Sequence, residues 1–380
     1  MRVALVILHA DPRRGGAERY TCDLAAALLQ RGHQVSLLAG SFHDAPVGTD
    51  TVELPLRGWT RRGRYLAFLD ALDHHLERHA YDIVHAMLPV RRCHLYHPHA
   101  GIAAAALAGG HEKHGWLARA AARLANRLNA RRRAFAAVER ALLADPHGPC
   151  VLCLSQYVAR SARQYHALQP HRIAILYNGV DIRRFDPHRD PAGGRELRRR
   201  LGIAPERTVA LFLAQDFQRK GLEFAIRALS RLKRHELILL VVGRPDPTAY
   251  RRLASRLGLE TQVIFAGPAG DPYPCYSAAD LFVLPTWHDP CSLVVLEALA
   301  MGLPVISTRH NGACELMREG EHGFVLESAD DVAGLAERIS LLMDPRERAR
   351  MSRSCLGLRG SLSHEAHVDA LEDIYRREAG

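Results

Sequence analysis

Between residues 209 and 307 the chain repeats one pattern five times: a short apolar run, a polar loop, then a segment with helical spacing. The runs are 209–213 (VALFL), 237–242 (LILLVV), 263–266 (VIFA), 281–284 (LFVL) and 305–307 (VIS). A run that is apolar throughout suits a strand buried on both faces, the condition of a parallel sheet covered by its own crossover helices. The first half carries the same alternation more weakly. Residues 3–8, 34–38, 82–86, 94–100, 150–154 and 173–176 read as strands, and 17–31 as the first helix, with Gly15 and Gly16 at its mouth. At 380 residues the chain exceeds the size at which one hydrophobic core stops growing. The expectation is an α/β protein of two Rossmann-like, doubly wound domains with a cleft between them. The first spans residues 1–176, rejoined by a terminal helix at about 362–380, and the second spans residues 177–361.

This topology limits where ligand chemistry can sit. Open parallel sheets bind ligands outside the carboxyl ends of their strands. Gln215, Arg219, Lys220, Gly243, Arg244, Gly267, Asp289 and Ser292 all fall at such ends. After the run 281–284, stopped by Pro285, comes the loop TWHDP, and Ser292 then opens an apolar helix that ends at Gly302. That helix is expected to leave the amides of Ser292, Leu293, Val294 and Val295 without intrahelical partners, with the positive end of its dipole behind them. Such a mouth is an anion site. Asp289 lies on the loop before it and Glu297 two turns inside it, which suits a ligand with phosphate in the middle and hydroxyl groups at both ends. A Ser-capped core helix beside an incidental acid is the plainer reading. Composition favours the first: only three of the 51 basic residues are lysine (Lys113, Lys220, Lys233). A lysine directly after Arg219 marks a place that wants a compact ammonium beside a planar guanidinium, as phosphate oxygens do.

The loop QRKG within FLAQDFQRKGLEFAIRAL (212–229) precedes an acid, seven residues and a glutamate ahead of a Gly-Leu-Pro turn, within SAADLFVLPTWHDPCSLVVLEALAMGLPVIST (277–308). Together they resemble the donor site of glycosyltransferase family 4, enzymes of GT-B fold, and within that family the branch acting on the lipopolysaccharide core. The resemblance is strong from about 209 to 326 and weaker over the N-terminal half. It implies retaining transfer of a hexose from UDP-glucose or a related UDP-hexose to a lipopolysaccharide-core or related glycolipid or glycan acceptor. On this resemblance Arg219, Lys220 and the amides of Ser292, Leu293 and Val294 stabilise the leaving diphosphate. Glu297 takes the ribose hydroxyls and Asp289 the sugar hydroxyls. Gly15 and Gly16 line the sugar and acceptor side, and the loop 267–273 passes the base. His99, with His97 second, faces the sugar, and YNGVD (177–181) is the crossing between domains. The family's first acid is usually glutamate; Asp289 reaches one methylene less far. No nucleophile or general base is assigned, and with no Asp-x-Asp motif at a strand end neither metal nor cofactor is expected. Two rival readings remain: a GT-B sugar-nucleotide epimerase or hydrolase, which needs no acceptor, and a catalytically inactive lipid-binding homologue.

The net charge of +10 points to an acidic partner. Two basic stretches carry much of it. One is a helix expected over 115–144 with Arg119, Arg123, Arg127 and Arg131 four apart and Arg132 and Arg133 following. The other is RGWTRRGR at 57–64. Each is either a solvated face or a surface that meets anionic lipid or an acidic acceptor. Nucleic acid ranks below lipid, because aromatic residues make up 6% of the chain and no groove- or base-reading motif is present. No apolar run is long enough to span a bilayer and no leader pattern opens the chain, so a cytoplasmic protein peripheral to the inner face of the membrane is expected. Cys150 and Cys153 sit in an apolar run and read as reduced core residues. His94, His97 and His99 lie close together, but without an acid nearby they make a weak metal site.

Overall fold

The computed structural model describes residues 1–109 and 129–379. They divide into two compact units, Met1–Tyr177 with Val368–Gly380, and Asn178–His367. Each unit is built on one sheet whose strand pairs are all parallel.

The first sheet has seven strands: β1 (Arg2–Val6), β2 (Gln34–Ala39), β3 (Asp50–Glu53), β4 (Ile83–Ala86), β5 (Leu95–Tyr96), β6 (Cys150–Cys153) and β7 (Ile173–Ile175), in the order β3-β2-β1-β4-β5-β6-β7. The order reverses beside β1, so the crevice of this sheet opens at the carboxyl ends of β1 and β4. Strand β3 escapes a pattern search because DTVE is polar and mostly exposed, as an edge strand can be. The segment 94–100, expected as one strand, is a strand only at Leu95 and Tyr96, flanked by His94 and His97 N–H donating to Val84 O and Ala86 O of β4 (2.9 and 2.8 Å). Beyond them the chain turns back on itself: His99 N–H donates to His97 O (2.8 Å) and Gly101 N–H to Pro98 O (2.8 Å). Pro98 lacks the amide that would continue the ladder. One face of the sheet is covered by the helices Gly16–Gln30 and His364–Glu378, which bury Leu24, Leu28, Val368, Leu371, Ile374 and Tyr375 against Val3, Leu5 and Leu37. Of the basic stretch, Arg119, Arg123 and Arg127 lie outside the described residues. The helix Ala130–Ala144 follows, with Arg131 over the Phe135 ring and Arg132 and Arg133 exposed.

The second sheet has six strands: β8 (Thr208–Leu213), β9 (Leu237–Val242), β10 (Val263–Gly267), β11 (Leu281–Leu284), β12 (Val305–Thr308) and β13 (Gly323–Leu326), in the order β10-β9-β8-β11-β12-β13. Five of the six are the apolar runs of the sequence pattern. β9 is buried at all six positions, as the absence of alternation requires. β13 was not expected: GFVL is short, and Gly323 holds a φ of 137° where a Cβ would lie 1.9 Å from Val305 O. Here the order reverses between β8 and β11. The loops that leave those two strands are QDFQRKG (215–221) and PTWHDPCS (285–292). Among the described residues of the chain, no helix is long and apolar enough to cross a membrane.

Candidate functional site

Topology brings the loops after β8 and β11 together at the switch point of the second sheet, and hydrogen bonds lock them. Trp287 N–H donates to Arg219 O at 3.0 Å, and the Thr286 hydroxyl lies 3.2 Å from the same oxygen. Within the first loop, Asp216 accepts from Arg219 N–H at 2.9 Å and pairs with its guanidinium at 3.4 Å. Gly221 closes the loop at φ 77°, and a Cβ there would lie 2.0 Å from Pro285 O, so only glycine lets the two loops approach this closely.

The side chains of Lys220 and Asp289 meet across this junction as a hydrogen-bonded ion pair. Both residues are buried, 7% and 9% exposed, so each charge needs the other. Burial raises the Asp289 carboxyl, but the Lys220 charge and hydrogen bond outweigh it, with help from Arg219 and Ser292, and hold the group below its ordinary value. At Lys220 burial dominates and lowers the ammonium against the pull of Asp289. Sequence alone assigns Lys220 and Asp289 separate ligand contacts; the structure joins them directly. An ammonium has three N–H donors, so the pair leaves Lys220 capacity for a second oxygen.

The helix after β11 spans Leu293–Ala300, with Ser292 at its N-cap. The expected set of four open amides is corrected here. Ser292 N–H donates to Asn311 Oδ1 at 3.2 Å, and Val295 N–H to Ser292 O at 3.2 Å. The Ser292 hydroxyl makes no capping bond to the helix. Among the described residues, the Leu293 and Val294 amides have no hydrogen-bond partner, so the mouth offers two open donors backed by the helix dipole. Glu297 sits on the same helix, and the Tyr276 phenol donates to its Oε2 at 2.6 Å. Burial first, then the Glu297 charge, holds the Tyr276 proton far above its ordinary release point, which keeps that phenol a donor.

Of the other expected residues, Gln215 and Arg244 are exposed at the ends of β8 and β9. Gly243 N–H donates to Gly267 O at 3.0 Å, tying β9 to β10, and Gly243 at φ 158° has no room for a Cβ against Ala214 O. Gly267 has φ 76° with open space around it. These four lie along the same carboxyl edge, Gln215 after β8 and the other three at the ends of β9 and β10. In the first unit, Gly15 is extended backbone at the N-cap of Gly16–Gln30. His99 is half-buried, its ring 4.3 Å from Tyr20 and 4.1 Å from His97 between centroids, while His97 is fully buried behind it.

Three organising residues were missed. Asn311, fully buried after β12, uses Oδ1 to accept from Ser292 and Ala313 (both 3.2 Å) and Nδ2 to donate to Ser307 Oγ at 3.1 Å. Its Asn-Gly dipeptide reads as an ordinary turn signal. Asp216 and Tyr276 left no signal beyond residue type.

The arrangement is a fixed cation, a guanidinium and two aimed amides beside a carboxylate-bearing helix, which suits an anion carrying hydroxyl groups. Comparison with known proteins agrees. The family profile described as Glycosyltransferase Family 4 matches residues 14–184, and the one described as Glycosyl transferases group 1 matches residues 194–354. The lipopolysaccharide glucosyltransferase WaaG of Escherichia coli is 27% identical over 316 residues, 82% of this chain and 82% of that protein. A crystal structure of WaaG, a glycosyltransferase involved in lipopolysaccharide biosynthesis, superposes with a TM-score of 0.80 at 26% identity, covering 96% of this chain and 98% of that one. HepE of Anabaena, solved in complex with UDP-glucose, shares the fold with a TM-score of 0.69 at 17% identity, covering 98% and 99%. With two parallel-sheet α/β units of the GT-B class and a family match over each half, the chain belongs to the glycosyltransferases, family 4 in its first half and group 1 in its second.

Proposed function

We propose that this glycosyltransferase moves a hexose, with retention of anomeric configuration and without a metal ion or cofactor, from UDP-glucose or a related UDP-hexose to a lipopolysaccharide-core or related glycolipid acceptor. The observation that carries the reading is the buried Lys220–Asp289 pair beside the open amides of Leu293 and Val294 at the switch point. Charge grows on the diphosphate as the glycosidic bond breaks. Arg219, the remaining donors of Lys220 and the two amides stabilise it electrostatically. Glu297, steadied by Tyr276, accepts from the ribose hydroxyls. Asp289, its carboxylate fixed by Lys220, takes a sugar hydroxyl. Gln215, Gly243, Arg244 and Gly267 are assigned to the nucleotide, Gly15 and Gly16 to the sugar and acceptor side, and His99 to a sugar hydroxyl or the reacting carbon. WaaG supports the acceptor class, and the UDP-glucose in HepE supports the donor. The test is transfer from UDP-glucose to a deglucosylated lipopolysaccharide core in EDTA, with NMR of the product's anomeric proton. An α-linked product in EDTA is expected. Donor consumption that ignores the acceptor would instead identify an epimerase or hydrolase, and a β-linked product would overturn retention.

We further infer that the chain works at the inner face of the cytoplasmic membrane through the stretch 57–64. Trp59 is fully exposed, and Arg57, Arg61, Arg62 and Arg64 stand exposed around it. A solvated indole among arginines suits the headgroup region of anionic lipid, at about 1 kcal/mol for each basic residue. A Trp59→Ser, Arg61→Ser, Arg62→Ser variant is expected to float with phosphatidylglycerol vesicles at least tenfold less than wild type. Equal flotation would remove this surface.

A further inference from the structure

The helix mouth after β11 lacks the bond that ordinarily fixes the first turn of a helix. An N-cap side chain normally accepts from the second or third amide inside the helix. Ser292 holds that position and makes no such bond, which leaves the Val294 amide open beside that of Leu293. A cap would steady the turn but consume a donor that the proposed reaction needs. The chain fixes the turn from behind instead.

The peptide unit between Cys291 and Ser292 is held at both of its polar ends. On one side Asn178, the first residue of the second unit and 5% exposed, donates from Nδ2 to Cys291 O at 3.0 Å. On the other, Ser292 N–H donates to Oδ1 of the fully buried Asn311 at 3.2 Å. Asn311 is anchored in turn, its N–H donating to Thr308 O at 3.0 Å and its Nδ2 to Ser307 Oγ at 3.1 Å. A peptide group is planar and rigid, so holding its oxygen and its hydrogen holds every atom from one Cα to the next. Only the two torsions of Ser292, φ −70° and ψ 112°, then separate the clamped plane from the amide of Leu293.

The bond from Asn178 carries a cost of its own. Cys291 O can only accept, so the side-chain amide must turn Nδ2 toward it, and Oδ1 is left buried without a partner among the described residues. An unsatisfied buried oxygen is destabilising. Leucine at 178, apolar and with the same branched outline, would remove that oxygen but leave Cys291 O unsatisfied in its place, since no other described group donates to it. For stability the exchange is close to even. For the peptide plane it is not, because only the asparagine holds it.

We propose that Asn178 and Asn311 are positioning residues that clamp the Cys291–Ser292 peptide between them and so aim the Leu293 and Val294 amides at the diphosphate. This rests on the reading of the mouth as a phosphate site. Two measurements on the full-length protein test it. The first is amide hydrogen exchange by NMR without ligand. In wild type the Ser292 amide is expected to exchange slowly and those of Leu293 and Val294 fast, and in Asn178→Leu the Ser292 amide is expected to exchange at least about tenfold faster. The second is calorimetric titration with UDP and with uridine. Asn178→Leu is expected to lose about tenfold in affinity for UDP and less than about twofold for uridine, with an unfolding midpoint close to that of wild type. Asn311→Ala breaks the other end and carries the same test should Asn178→Leu not fold. It is expected to lose UDP affinity to a similar degree, and its midpoint also falls because the Ala313 amide is released. A fast-exchanging Ser292 amide in wild type, or a ratio of UDP to uridine affinity unchanged in the variants, would overturn the proposal. Wild type that binds UDP no more tightly than uridine would strike the phosphate reading, and the exchange data would still decide the clamp.

Discussion

Lys220→Ala is expected to lower turnover by about two to three orders of magnitude, the loss typical of removing one preorganised charge stabiliser. The structure adds a second expectation. Asp289 would be left as an uncompensated buried carboxylate, at a cost of about 3–5 kcal/mol. In a unit of this size that lowers its unfolding midpoint by roughly 10 °C. Adding Asp289→Asn removes the stranded charge, so the double variant is expected to recover much of the stability and none of the turnover, a coupling that a double-mutant cycle measures. Calorimetric unfolding and steady-state kinetics separate the two effects. Turnover unchanged in Lys220→Ala would remove its role at the diphosphate, and an unchanged midpoint would show that the pair is not a buried ionic contact.

Gly221→Ala carries the second largest expected effect, because two penalties meet at one atom. The residue holds φ 77°, and its Cβ would lie 2.0 Å from Pro285 O. The left-handed backbone alone costs a residue with a Cβ about 1–3 kcal/mol. The clash can be relieved only by pushing the 285–289 loop away from 218–220, which parts Lys220 from Asp289 and shifts the helix mouth. Displacements near 1 Å at a reacting centre cost roughly a hundredfold, and kcat/KM is expected to fall by that order. Gly202→Ala is the control. It has a similar φ of 68° but nothing within 4 Å of its Cβ position. It is expected to lose stability and keep activity. Equal activity in both variants would mean that the contact between the loops does not set the site.

The strands of the second sheet and the loops at their carboxyl ends were legible because burial on both faces removes alternation and leaves plain apolar runs. Topology alone places Arg219, Lys220, Asp289 and Ser292 at one edge. What the sequence could not supply was the partner of each group. Lys220 and Asp289 are 69 residues apart, and no periodicity joins them. The count of open amides was too high for the same reason: Asn311, on the loop after another strand, takes the amide of Ser292. In the first unit, the residues of 94–100 suit extended backbone throughout, but Pro98 breaks the ladder and the turn sets the His99 ring against His97. β3 and β13 were invisible because edge strands carry polar or glycine-bearing sequences that pattern alone does not mark.

The central claim is that the junction of the loops after β8 and β11 grips phosphate. Calorimetric titration of the intact protein with UDP and with uridine tests it without any substitution. Charge-assisted hydrogen bonds to the phosphates are each worth about 1.5–3 kcal/mol, so UDP is expected to bind at least about a hundredfold more tightly than uridine. Equal affinity for the two would contradict the account.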